Sequence, residues 1–75
     1  MAYTVSAHTV RQRIRALRLE RKLTQEALAA GSGVSLKHYQ DLESGRKPFN
    51  PTLETLNGIA ATLEVDVHTL LEPST

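Results

Sequence analysis

Short helix-forming stretches follow one another along this 75-residue chain, each preceded by a capping side chain and followed by glycine or proline. Thr24 precedes an alanine-rich run, Ala27 to Ala30, that Gly31-Ser32-Gly33 is predicted to end, and Ser35 precedes a segment that reaches Gly45. A hydroxyl in front of a helix accepts a backbone N–H of the first turn, and glycine ends helices because it tolerates a left-handed conformation. No useful run alternates apolar and polar residues as a strand would. The sequence therefore predicts an all-α fold of five short helices.

The first helix is predicted to begin at Thr9, because Thr9 and Gln12 have the spacing of a capping box. Residues 1–8 show no period and are interpreted as a flexible N-terminal arm. The apolar stripe of the helix comprises Val10, Ile14 and Leu17, and a basic stripe beside it comprises Arg11, Arg15, Arg18 and Lys22. One helix thus presents a core face next to a basic face.

The later helices follow from the same signals. Tyr39 and Leu42 are three residues apart and mark the buried side of the third helix. The two prolines of residues 46–51 favour a loop, from which a fourth helix begins at Pro51 or Thr52. The apolar face of that helix comprises Leu53, Leu56, Ile59, Ala60 and Leu63, interrupted by Gly58, which weakens a helix by about 1 kcal/mol relative to alanine. A fifth helix, Val67 to Leu71, follows a capping Asp66 and is ended by Pro73. The domain is predicted to span residues 9–72, with a tail of residues 73–75.

Charge divides the chain into two parts. Residues 1–47 hold nine basic and four acidic residues, a net charge of +5, whereas residues 48–75 hold four acidic and no basic residues, a net charge of −4. This asymmetry predicts a polyanionic partner for the first part, although a solvated helix that happens to be basic explains the same pattern. A core this small also makes self-association plausible.

Several classes of protein are disfavoured. The chain has no cysteine for a disulfide, a thiolate zinc site or a nucleophile, and it shows neither a spanning segment nor a signal peptide, so a soluble cytoplasmic protein is expected. His8, His38 and His68 are thirty residues apart, which is no metal-ligand spacing. We therefore expect neither an enzyme nor a metal or cofactor.

Two short helices joined by a glycine-containing turn match the helix-turn-helix pattern. From Val10 to Leu71 the chain resembles the Cro/CI-type helix-turn-helix family, also called the Xre family. The residues that carry the resemblance are Arg18, Leu23-Thr24-Gln25-Glu26-x-Leu28-Ala29, Gly33-Val34-Ser35, Leu42-Glu43-x-Gly45, Pro51-Thr52-Leu53-Glu54-Thr55-Leu56 and Ala60-x-x-Leu63-x-Val65. The resemblance implies a five-helix, lambda-repressor-like DNA-binding domain whose helices 2 and 3 form the helix-turn-helix.

Residue roles follow from the resemblance. The base contacts it implies lie on the third helix: Leu36, Lys37, Gln40 and Asp41. Lysine donates to guanine, glutamine pairs with adenine, leucine packs on a thymine methyl and aspartate accepts from cytosine. Because an acid also repels phosphate, the alternative for Asp41 is that it only orients a neighbouring side chain. Gln25, at the start of the second helix, corresponds to a residue that donates to a DNA phosphate. The alternative for these positions is an ordinary solvated surface.

The remaining implied roles are electrostatic. Arg18 and Glu43 resemble an interhelical ion pair that orients the third helix. The candidate phosphate contacts, besides Gln25, are Ser35, His38, Arg11, Arg15, Lys22, Arg46 and Lys47. Arg21-Lys22 occupy a turn where the family often has glycine, and the loop after Gly45 is about two residues longer than the common form.

The predicted function is that of a sequence-specific transcription regulator, phage-repressor-like or restriction-modification controller-like. The resemblance implies a homodimer that binds a palindromic double-stranded operator, with half-sites about 34 Å apart. The alternative is a protein-binding helical module, such as an antitoxin or anti-repressor, that uses the acidic fourth and fifth helices.

Overall fold

The computed structural model describes residues 5–72, and five helices make up this part of the chain. They are α1 (Ala7–Glu20), α2 (Gln25–Ser32), α3 (Leu36–Ser44), α4 (Leu53–Leu63) and α5 (Val67–Leu71). No strand occurs within residues 5–72. The all-α prediction with five helices is confirmed.

The predicted caps explain most of the helix boundaries. The Thr24 hydroxyl accepts from Ala27 N at 3.0 Å, and the Ser35 hydroxyl accepts from His38 N at 3.1 Å. The Asp66 carboxylate accepts from His68 N at 2.9 Å. α2 and α3 end on Gly33 and Gly45 with φ of 71° and 81°, the left-handed conformation that favours glycine.

The start of α1 corrects the prediction. Ser6 caps the helix and its hydroxyl accepts from Thr9 N at 3.0 Å, so the helix begins at Ala7 and Thr9 lies inside its first turn. A second hydroxyl residue three positions earlier thus takes the capping role. Val5 also packs against the core, which leaves no arm in residues 5–8. Residues 1–4 of the predicted arm, Pro73 and the tail 73–75 lie outside the described residues.

The core forms where α1 and α2 meet the other helices. α3 packs against α1 and α2, whereas α4 packs against α1, α2 and α5. The clustered core residues are Val10, Ile14, Leu28, Ala29, Tyr39, Ile59, Ala60, Leu63 and Leu70. Because Tyr39 and Leu42 are buried, as predicted, the opposite face of α3 is directed outwards.

One prediction about α4 is wrong, and Gly58 has a role that the sequence did not indicate. Leu53 is 67% exposed rather than part of the core. The buried face is centred on Ile59 and Leu63 and includes Thr55, and at 3.6 residues per turn Leu53 lies roughly 90° from that centre. Gly58 is not simply a weak point, because a Cβ added there would lie 2.8 Å from Ser32 Cα and 2.9 Å from the Gly31 carbonyl oxygen. Its missing side chain allows α2 and α4 to pack with their backbones in contact.

Candidate nucleic-acid interface

The outward face of α3 carries two of the four predicted base contacts, Leu36 and Lys37, beside His38. Leu36, Lys37 and His38 are exposed, while Tyr39 and Leu42 hold the opposite face in the core. The buried anchors fix the helix without using the outward side chains. A rigid helix with a free polar face is the element that enters a major groove.

Gln40 is half-buried and belongs to a chain of amide hydrogen bonds. Gln40 Nε2 donates to Gln25 Oε1 at 3.2 Å, and Gln25 Nε2 donates to Glu43 Oε1 at 3.5 Å. The anionic acceptor at the end of the chain fixes which end of the Gln25 amide faces Gln40. Gln40 therefore keeps its own Oε1 and one N–H for an external partner.

Arg18 and Glu43 form the interhelical ion pair that the resemblance implies. Arg18 Nη2 lies 2.8 Å from Glu43 Oε1 and Arg18 Nε lies 3.0 Å from Glu43 Oε2, while Arg18 Nη1 donates to the Leu23 carbonyl at 3.0 Å. The two side chains are only 11% and 4% exposed. Burial alone would raise the pKa of Glu43, but the hydrogen bonds and charge of Arg18 outweigh it, so this pKa lies below its ordinary value. The pair joins α1 to the last turn of α3.

A buried hydroxyl lies in the same region. Tyr39 has no exposed surface, and its Oη lies beside Glu43 and Arg18 without a well-formed hydrogen bond to any described residue. Burial raises the pKa of Tyr39 well above its ordinary value, so the phenol stays neutral. Tyr39 acts here as a large apolar anchor for α3.

Asp41 is engaged with the basic loop that follows α3. Lys47 Nζ lies 3.2 Å and Arg46 Nη2 lies 4.0 Å from the Asp41 carboxylate. The hydrogen bond from Lys47 lowers the pKa of Asp41, and the charges of Lys37, Lys47 and Arg46 act in the same direction. The carboxylate therefore has two cationic partners within the protein, and its contact with cytosine stays a prediction.

Some of the predicted phosphate contacts lie beside α3, and others lie further from it. A groove of about 520 Å³ is lined by Arg15, Gln25, Gln40, Glu43, Ser44 and Arg46. Lys22 is exposed in the turn after α1 with φ of 56°, and the Ser35 hydroxyl caps α3 beside exposed His38. The structure thus brings Arg15, Gln25 and Arg46 together around Gln40. Lys22 lies in a separate turn.

Arg11 differs from the other candidates. Its guanidinium donates to the Leu42 carbonyl at 3.2 Å and to the Lys47 carbonyl at 2.7 Å, and it lies 5.2 Å from the centre of the Phe49 ring. These contacts use the side chain inside the protein. Sequence reasoning missed this role because the loop partners of Arg11 are more than thirty residues away.

The acidic residues of the second part of the chain are all exposed on α4, α5 and their ends: Glu54, Glu64, Asp66 and Glu72. Within residues 5–72, no cluster of three or more histidine or acidic side chains could hold a metal ion. None of the helices in that range is long and apolar enough to cross a membrane.

A protein-family model described as "Helix-turn-helix" matches residues 14–70, which is most of the chain. The chain belongs to this helix-turn-helix family, the Xre or Cro/CI type of DNA-binding transcription regulators. Members of such a family are not normally enzymes.

Individual relatives agree with this assignment. The chain is 44% identical over 61 residues to the HTH-type transcriptional regulator DdrOP3 of Deinococcus deserti, covering 81% of this chain and 46% of that protein. It is 42% identical over 67 residues to the immunity repressor protein of Bacillus phage phi105, covering 89% of this chain and 45% of that protein. The chain therefore spans about half the length of these relatives. The restriction-modification controller protein C.AhdI from Aeromonas hydrophila superposes with a TM-score of 0.74 at 30% identity, covering 84% of this chain and 92% of that one.

Proposed function

We propose that this chain binds double-stranded DNA sequence-specifically as a transcription regulator, with the outward face of α3 in the major groove. The observation that carries the proposal is the exposure of Lys37 on a helix whose opposite face is anchored by Tyr39 and Leu42. The membership of the helix-turn-helix family supports it. The relatives named as an immunity repressor and a restriction-modification controller indicate the kind of regulator to expect.

Direct contact with bases is assigned to Leu36, Lys37 and Gln40. Lys37 has the donors for guanine O6 and N7, and Gln40 has a free Oε1 and one free N–H, which match the N6 and N7 edge of adenine. Asp41 holds Lys47 at 3.2 Å, so its proposed role is to direct cations of the loop rather than to accept from cytosine. Removal of its carboxylate would then weaken binding to all sequences alike.

Contacts with the DNA backbone are assigned to exposed cations and polar groups around α3. They are Arg15, Lys22, Gln25, Ser35, His38, Arg46 and Lys47. Such contacts position the protein and depend on salt, because each releases counterions from the phosphates. The exposed acids of α4 and α5 would be repelled by DNA, which favours the orientation with α3 towards the duplex.

A homodimer on a palindromic operator is the proposed assembly. Two-fold symmetry would place two copies of α3 about one duplex turn, 34 Å, apart. Sedimentation at micromolar concentration, with and without DNA, tests this assembly. A strict monomer under both conditions would contradict it. We expect the protein in the cytoplasm, where its DNA would lie.

The direct test is a selection of binding sites from a random DNA pool at stated salt. We expect an enriched half-site, repeated at a fixed spacing, and an affinity that falls steeply with salt. A pool with no enriched sequence would contradict sequence-specific binding. Capture of a protein through α4 and α5, with no DNA enrichment, would support the alternative of a protein-binding module.

Variants of α3 then test the site. We expect Lys37→Ala and Gln40→Ala each to weaken binding to the selected site by about 1–3 kcal/mol and to relax the base preference at one position. Asn57→Ala and His68→Ala, exposed on α4 and α5, are matched controls that should leave affinity unchanged. Equal affinity of the α3 variants and the controls would remove the assignment of α3 as the element that contacts bases.

A further inference from the structure

Arg11 of α1 holds the last turn of α3 and the loop that follows it through three separate contacts. Its Nε donates to the Leu42 carbonyl at 3.2 Å, its Nη2 donates to the Lys47 carbonyl at 2.7 Å, and its guanidinium lies over the Phe49 ring at 5.2 Å. The side chain also crosses Gly45, where an added Cβ would lie 3.4 Å from Arg11 Nη1. The planar guanidinium thus joins the end of α3 to two later points of the loop.

The last turn of α3 explains why such a donor is needed. In a continuing helix the Leu42 carbonyl would accept from Arg46 N, but Arg46 N donates to the Ser44 hydroxyl at 3.2 Å. A carbonyl at a helix end needs another partner, and Arg11 supplies it. The path of the chain after Gly45 therefore depends on a side chain of α1.

The loop held in this way carries two of the exposed cations. The side chains of Arg46 and Lys47 are 73% and 64% exposed, and both lie near the Asp41 carboxylate. Asp41 contacts the side chains of the loop, whereas Arg11 contacts the backbone of the loop. Phe49, which packs against the core, provides the third fixed point.

From this arrangement we infer that Arg11 is a positioning residue for the loop cations and makes no contact with DNA itself. This inference rests on the proposed DNA binding. Arg11 fixes the backbone from which Arg46 and Lys47 extend, so that both ammonium and guanidinium groups meet the phosphates beside α3. A guanidinium is required, because a lysine cannot make two forked hydrogen bonds and stack on a ring at once.

Arg13 provides a matched control on the same helix. Its Nη1 donates to the carbonyls of Leu70 and Glu72, so it fastens the end of α5 much as Arg11 fastens the end of α3. Both arginines lie on α1 and both bind backbone carbonyls of a distant segment. Only the segment held by Arg11 carries basic side chains.

The experiment compares Arg11→Lys with Arg13→Lys, which both retain the positive charge. We expect Arg11→Lys to weaken binding to the selected DNA about three- to tenfold and to lower the salt slope by one to two phosphate contacts, since the loop cations lose their positions. Arg13→Lys should change neither quantity, because a lysine ammonium can still donate to the two carbonyls that Arg13 reaches through Nη1 alone. Unchanged affinity and salt slope for Arg11→Lys would overturn the inference.

A double-variant cycle separates positioning from direct contact. In the background Arg46→Ala with Lys47→Ala, Arg11→Lys should have no further effect on DNA affinity. A persistent loss there would show that Arg11 acts by another route, and would overturn the inference. Amide NMR without DNA gives an independent readout, because residues 45–49 should shift and become more mobile in Arg11→Lys but not in Arg13→Lys. A wild-type protein that selects no DNA would defeat the proposed function, whereas wild-type binding with an unaffected Arg11→Lys variant would defeat this inference alone.

Discussion

The interface between α1 and α3 and the interface between α2 and α4 are held together in different ways. Between α1 and α3 the contacts are directional, with the Arg18–Glu43 pair and the hydrogen bonds of Arg11. Between α2 and α4 the contact is close van der Waals packing, because the absence of a side chain at Gly58 lets the two backbones touch. Directional contacts fix the orientation of α3, and close packing provides stability without defining an outward surface. Changes at the first interface should therefore affect stability and DNA binding together, whereas changes at the second should affect stability alone.

The largest expected effect comes from Arg18→Met. This change leaves Glu43, only 4% exposed, as a buried carboxylate without its partner, which should lower the free energy of unfolding by about 3 kcal/mol at pH 7. Urea denaturation measures the loss. The double variant Arg18→Met with Glu43→Leu removes both charges and should recover most of the stability. A single variant as stable as the wild type would show that the pair contributes little to joining α1 and α3.

The same variant has a distinctive pH dependence. In the wild type the pKa of Glu43 is lowered in the folded state, so its stabilising effect is present above the unfolded pKa of about 4.5 and is lost as pH falls through the folded pKa. Without Arg18, burial raises the folded pKa, and protonation of Glu43 stabilises the variant instead. The stability difference between wild type and variant should therefore shrink from pH 7 to pH 4. A difference that stays constant would contradict this role of Glu43.

The second effect comes from Gly58→Ala at the α2–α4 interface. The new Cβ would meet backbone atoms at 2.8 and 2.9 Å, which cannot move as a side chain can. Overpacking should cost about 1–3 kcal/mol, of which the better helix propensity of alanine recovers up to about 1 kcal/mol. Thermal unfolding should show a net loss of stability for Gly58→Ala. The control is Asn57→Ala, at the exposed position directly before Gly58, which should be neutral or stabilising. If Gly58→Ala is folded but binds DNA as weakly as Arg11→Lys is expected to, the proposed difference between the α2–α4 and α1–α3 interfaces is contradicted.

The sequence predicts those parts of the fold that depend on local chemistry. Thr24, Ser35 and Asp66 cap the helices as expected, because a capping hydroxyl or carboxylate acts within three residues of its own position. The predicted start of α1 is wrong because Ser6 and Thr9 both have a hydroxyl that could cap a helix, and only one of them can be the N-cap. The predicted burial of Leu53 is wrong because the contact of α4 with α2 determines which face of α4 is buried.

The candidate site shows the same division. Exposure of Lys37 and the pairing of Arg18 with Glu43 agree with the resemblance, because spacing along a helix determines which face a residue occupies. The contacts of Arg11 and Asp41 depend on the path of the loop after Gly45, which helix spacing does not determine. A charged side chain on such a path can bind the protein as readily as DNA, and only the coordinates distinguish the two.

The smallest effect compares two residues with the same backbone strain, Lys22 after α1 and Glu64 after α4, whose turns line one surface pocket. Lys22 and Glu64 have φ of 56° and 59°, a conformation that costs a residue with a side chain about 1 kcal/mol. Lys22→Gly and Glu64→Gly should each raise the free energy of unfolding by at most about 0.5 kcal/mol, because glycine relieves the strain but gains entropy when unfolded. Thermal unfolding of both variants measures this gain.

DNA binding should separate these two variants. If Lys22 contacts a phosphate, Lys22→Gly lowers the salt slope by about one and weakens binding to all sequences, even though the protein is more stable. Glu64→Gly removes an exposed acid that follows α4, so affinity should stay the same or rise slightly. Equal affinities would remove Lys22 from the phosphate contacts and restrict the DNA-binding surface to α3, the groove beside it and the loop that Arg11 holds.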